Sequence, residues 1–298
     1  MPREPIRTLL LLSAAVIATG IAAASPPQHP LLHATRQAES DLEVTGLIKG
    51  LPQGASAYIG YKDLLALPQV AATISDDPDY PGPPLHVSGV SFETLATAVG
   101  ALPESDLIDA LCMDRYRSHF PAGYIAQHHP ILVLTIEHKP LGEWAKQAHQ
   151  YDPSPYVVMY PHFVPAFKVL AHADEPQLPD NLIRLNFTTQ ARTFGPITPR
   201  GNFAADSPEQ QGFTIAKQNC LRCHFQGSSG GTKSGRTWQS LSVWAAEQPK
   251  FFQAYVKDPT KFESHSHMAA NPEYDPATLA ALTAYFRTFS EAAKAGTR

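Results

Sequence analysis

Cysteine is scarce in this chain, with three residues in 298. Three thiols cannot build a multi-disulfide scaffold, so packed cores must hold the protein together. Charge is also scarce, at 17% Asp, Glu, Lys and Arg against a usual ~25%. That shortage speaks against long solvated helices and for a chain rich in turns. There is no basic excess: the formal net charge is −4, which argues against nucleic acid as a partner. Internal repeats are absent, and beyond residue 24 no apolar run suggests a transmembrane helix. What the chain does hold is 43% apolar residues and 28 prolines. The first is enough for real cores, and the second breaks regular elements into short pieces. Single cores rarely grow past ~250–300 residues, so two domains are expected.

The one long uncharged run lies at the start. Arg3 and Arg7 precede residues 8–24, which hold Leu9 to Leu12, Val16 and Ile17 and end in Ala22, Ala23 and Ala24. A positive start, a short apolar middle and a small-residue exit describe a signal peptide over 1–24. The alternative is the same segment retained as a membrane anchor facing the periplasm. Either way a periplasmic location is expected, with no membrane span in the mature chain if the segment is removed.

Residues 25–40 read as a flexible lead-in. Over 41–195, short apolar runs such as 42–48, 70–74, 107–113, 131–136 and 182–187 read as strands, and 61–67 and 90–100 as short helices. That mixture predicts an α+β N-terminal domain. Residues 196–206 carry Pro196, Pro199 and Gly201 and read as a linker. After it, over 207–298, strand signals stop. Ser207-Pro208-Glu209-Gln210 is a serine-capped helix start, and Asp275-Pro276 begins a terminal helix with Leu279, Leu282, Tyr285, Phe286 and Phe289 on one face. Charge divides at the same place, with −7 over 25–200 and +2 over 201–298.

Two of the cysteines sit in Cys220-Leu221-Arg222-Cys223-His224. C-x-x-C-H is the attachment signature of c-type haem. Two thiols on one helical turn can reach the two vinyl groups of a single haem, and the adjacent histidine projects toward the iron from the same side. A thioredoxin-like pair would want a βαβ setting, and a zinc site would want a second pair of ligands; neither is present in this half. His224 is therefore the candidate proximal ligand. Met268 is the single methionine of this half and sits in a loop between breakers, which makes it the candidate distal ligand. His265 and His267, beside it, are the rivals.

On these residues the chain from about 203 to 290 resembles a class I cytochrome c. The resemblance implies an all-α domain whose first and last helices cross through Gly212, Phe213, Tyr285 and Phe286. It also implies single-electron transfer and a haem contact for Trp238, for which plain packing is the alternative. The first domain resembles the sulfite-oxidase-type molybdopterin-binding fold through 42–48, 63–68, Val87-Ser88-Gly89-Val90 and Met113-Asp114-Arg115-Tyr116. That family's ligand cysteine has no counterpart near Ser75-Asp76-Asp77, and the only thiol of the domain, Cys112, falls in another strand. Molybdopterin is therefore not expected. The seven histidines from His119 to His172 match no compact metal motif.

The sequence thus predicts an exported electron carrier with one haem c, serving a periplasmic redox partner. The N-terminal domain would act as scaffold or docking module, without catalytic residues. The alternative is a molybdenum-dependent oxidoreductase of the sulfite-oxidase type, with the haem relaying electrons.

Overall fold

The structure, a computed structural model, describes residues 31–75, 77 and 79–295. The expected signal peptide at 1–24 lies outside the described residues. Part of the expected lead-in is described, and it packs: Leu32 is buried, and His33 shares backbone hydrogen bonds with Tyr58.

In the first two thirds of the chain the elements are β1 (Leu42–Gly46), β2 (Ser56–Ile59), α1 (Tyr61–Ala66), β3 (Val70–Ile74), β4 (Leu85–Ser91) and α2 (Phe92–Val99). They continue with β5 (Leu107–Cys112), β6 (Arg117–Pro121), α3 (Ala122–His128), β7 (Ile131–Ile136), β8 (Lys139–Pro140) and α4 (Leu141–Ala148). Then come β9 (Val157–Met159), β10 (Lys168–Val169), β11 (His172–Ala173), β12 (Leu182–Thr188) and α5 (Gln190–Phe194). They build two sheets of five strands. One has the order β2-β1-β12-β5-β6, and the other runs β3-β4-β7-β8 with β9 also on β7. In the first sheet only β1 and β12 run parallel; the other pairs are antiparallel.

Alternation along the strands decides which face is which. Val44, Leu185 and Ala110 enter the apolar core shared with Phe92, Leu95 and Phe120. Their neighbours Thr45, Asn186 and Asp109 align on the other face through the registers β1–β12 and β12–β5. β7, by contrast, is buried at every position but Thr135: Leu132 and Leu134 join this core, and Ile131, Val133 and Ile136 join a second cluster with Trp144.

The last third holds α6 (Pro208–Gln218), β13 (Phe225–Gln226), β14 (Ser229–Gly230), α7 (Trp238–Glu247), α8 (Pro249–Lys257) and α9 (Pro276–Ala295). The Ser207 hydroxyl accepts from the Gln210 N–H at 3.3 Å, as its cap position predicts. Helices α6 and α9 approach closely at Gly212, where a Cβ would stand 2.2 Å from the Ala281 carbonyl oxygen. No side chain larger than hydrogen fits there.

The expected fold class does not hold. The protein is mixed α/β, 34% helix and 24% strand, with several sheets and nine helices among the described residues. The C-terminal third is not an all-α domain, because β13 and β14 pair as an antiparallel ladder directly after the C-x-x-C-H motif. With two residues in each strand, that ladder leaves no period-2 pattern to read. Nor is the helical core self-contained. Leu107 of β5, Phe194 of α5 and Ile197 pack into it, and the Tyr285 hydroxyl donates to the Ile197 carbonyl at 2.5 Å. Part of the segment expected as a linker is therefore core.

Candidate functional site

The C-x-x-C-H motif continues the path of α6. After Asn219 the backbone tightens into a 3-10 turn over Cys220–Arg222, and the His224 N–H donates to the Cys220 carbonyl at 3.0 Å. That winding brings Cys220, Cys223 and His224 to the wall of one cavity of about 440 Å³. Met268 lines the same cavity from the loop between α8 and α9. Asn271 pins that loop to the end of α8, with its backbone N–H on the Lys257 carbonyl (3.0 Å) and its side-chain amide on the Val256 carbonyl (2.9 Å).

The histidine is oriented from behind. Its Nδ1 lies 3.0 Å from the Arg236 carbonyl and 2.9 Å from the Ser234 hydroxyl. A carbonyl can only accept, so Nδ1 carries the proton and Nε2 keeps its lone pair. Burial also lowers the pKa of His224, which favours the neutral, ligating form. Burial pushes the Cys220 thiol up to about 12 and raises Cys223 as well. Burial thus favours the neutral thiol at both positions.

Among the other sequence-derived candidates, Met268 is half-buried and packs against the helical core. His265 and His267 also line the cavity but are exposed. Trp238 is fully buried away from the cavity wall; its indole N–H donates to the Tyr285 hydroxyl at 3.1 Å. The tryptophan on the wall is Trp244, one and a half turns further along α7, with the Arg236 guanidinium 4.6 Å above its ring.

Sequence reading missed the contribution of the first two thirds of the chain. Tyr116 and Glu175 line the cavity. Arg222, the third residue of the motif, reaches back to the Pro176 carbonyl (3.3 Å) and to Glu175 (3.6 Å). The loop after β14 is held by the turn between β5 and β6, where the Thr232 N–H donates to the Arg115 carbonyl at 3.1 Å and Lys233 pairs with Asp114 at 2.5 Å. Gly231 allows that passage, since a Cβ there would stand 1.9 Å from the Arg222 carbonyl oxygen. The motif announced its own residues, but which way Arg222 turns depends on a loop residue pair, Glu175 and Pro176, more than forty residues away in sequence.

The remaining candidates do not converge. Cys112 is buried at the end of β5, and burial raises its thiol pKa strongly. Asp76 lies outside the described residues, and Asp77 accepts from the Asp79 N–H at 2.9 Å in a turn. Of the histidines, His128 pairs with Asp174 at 3.0 Å inside the core, and His172 meets the Tyr274 hydroxyl at 2.9 Å. Among the described residues no group of three or more His, Cys, Asp or Glu is arranged to hold a metal ion, and no helix is long and apolar enough to cross a membrane.

No protein-family model matches the chain, and no curated protein matches it. Among solved structures it is similar to the sulfane dehydrogenase SoxCD from Paracoccus pantotrophus, at 15% identity and a TM-score of 0.36. The match covers 53% of this chain and 40% of that one. A likeness at that level assigns neither fold nor function.

Proposed function

We propose that the protein is an exported electron carrier with one covalently attached haem c. Cys220 and Cys223 would be the attachment points, and His224 and Met268 the axial ligands. The observation that carries this reading is the convergence of those four side chains on one largely apolar cavity. A bound haem would supply reversible one-electron exchange at iron. The residues suit it in chemistry: two neutral thiols on one turn, an imidazole with its Nε2 lone pair free, and a thioether from a separate loop. The apolar wall of Leu282, Phe286 and Phe252 would keep water from the group, and a thioether ligand favours the reduced state.

The exposed His265 and His267, beside Met268, mark the edge at which a periplasmic redox partner would dock. The sheet-bearing part of the chain acts in this reading as a scaffold, since it braces the motif through Arg222, Glu175 and Arg115. Molybdopterin has no part in this reading, because no cysteine stands near Ser75-Asp76-Asp77. The export step rests on residues 1–24 and is tested by the N-terminal sequence of the mature protein.

The deciding experiment is expression in a host equipped for haem attachment, followed by intact mass and the pyridine haemochrome spectrum. One haem per chain, retained after acid–acetone extraction, is the expected result. A chain that emerges with both thiols free to alkylation would overturn the proposal.

A further inference from the structure

A second cavity, of about 310 Å³, lies where the polar face of the β1–β12–β5–β6 sheet meets the β13–β14 hairpin. That size is at the lower end of small-ligand sites. Three arginines from three elements line it: Arg117 on β6, Arg184 on β12 and Arg192 on α5. Sheet register brings Thr45, Asn186 and Asp109 side by side beneath them. The Thr45 hydroxyl donates to Asn186 Oδ1 at 3.1 Å, which leaves the amide NH₂ as a donor.

The arginines are not used up by their neighbours. Arg192 forms no ion pair among the described residues and is exposed. Arg184 is ion-paired through Nε with Glu43 Oε2 at 2.9 Å but keeps its Nη donors. Arg117 gives Nη1 to Asp109 Oδ2 and keeps its other donors. Such a set recognises the oxygens of an anion. Asp109 adds a second requirement. Its side chain is 5% exposed, and its Oδ1 is buried with no hydrogen-bond partner. A carboxylate oxygen left so is costly and repels a bare anion, whereas an O–H on the ligand would satisfy it.

We propose that this cavity binds a small oxyanion that also carries an O–H donor: a hydrogen phosphate group or a hydroxycarboxylate. Neither His224 nor Met268 lines it, so its fate is independent of the haem assignment. The test is titration calorimetry on the full-length protein as purified, with two matched pairs of probes. Inorganic phosphate keeps an O–H that sulfate lacks, and malate keeps one that succinate lacks. The expected result is at least about tenfold tighter binding of the O–H member in one pair, and the pair that splits identifies the source. Arg192→Gln, an exposed change that leaves the fold intact, should weaken the favoured probe about tenfold. Asp109→Asn should erase the preference within the pair. The proposal is overturned if no probe binds below about 10 mM, if both members of each pair bind alike, or if Arg192→Gln leaves affinity unchanged.

Discussion

The helical third and the sheet-bearing two thirds assemble polar side chains in opposite ways. In the helical third, three of the four cavity residues of interest lie within five consecutive positions, Cys220 to His224, and one turn of backbone is enough to gather them. In the sheet region Thr45, Asn186 and Asp109 come from three strands far apart in the chain, and register aligns them, with Arg117 on the strand next to Asp109. Local winding makes the first arrangement tolerant of distant change. Register makes the second dependent on every strand, because a slip of one residue turns each side chain to the opposite face.

The contrast meets its severest test in a double change, Cys220→Ser with Cys223→Ser. Covalent haem should disappear altogether by intact mass, while the far-ultraviolet circular dichroism of the sheet region stays. Next in size is Gly212→Val. A branched side chain against the Ala281 carbonyl forces α6 from α9 and should cost ~3 kcal/mol or more in urea unfolding, or prevent folding.

A third test lies in acid. His119 sits on the polar face of β6, fully desolvated, with neither ring nitrogen hydrogen-bonded, and burial lowers its pKa to about 4. A depressed folded pKa means that stability is complete above the unfolded value, near ~6.5, and is lost as pH falls toward 4. Between pH 6.5 and 5 that loss should be about 2 kcal/mol, and His119→Leu should flatten the denaturation profile there. Smaller, at ~1–2 kcal/mol, is the effect of Tyr285→Phe, which strands the Trp238 N–H and the Ile197 carbonyl. The least disruptive change is Met268→Ala. Haem should stay attached and the fold intact, while the weak far-red absorption of a methionine-ligated ferric haem vanishes. Absence of that band already in the unsubstituted protein, with a spectrum unchanged by the substitution, would assign the ligand to His265 or His267.

Much of the strand pattern was legible. The apolar runs at 70–74, 107–113 and 131–136 became β3, β5 and β7 nearly to the residue; β5 and β7 are largely buried and so are written as continuous β-branched and aliphatic segments. The run at 90–100 is strand through Ser91 and helix only from Phe92, where the Ser91 hydroxyl caps the first turn. β13 and β14 were beyond reach because two-residue strands carry no periodicity. Trp238 and Trp244 differ by six positions on one helix, and only the packing of α7 against α9 determines which reaches the cavity.

By itself the sequence determined the motif, its haem-compatible spacing, the capped starts of α6 and α9 and the scarcity of thiols for any other site. Each is a local property, encoded within a turn or two of chain. Tertiary structure alone decided that the helical core borrows Leu107, Phe194 and Ile197, that Arg222 braces against Glu175 and Pro176, and that three arginines meet over Asp109. Those contacts join residues tens to more than a hundred positions apart, and no local pattern records them; they exist only once burial and strand register have brought the segments together.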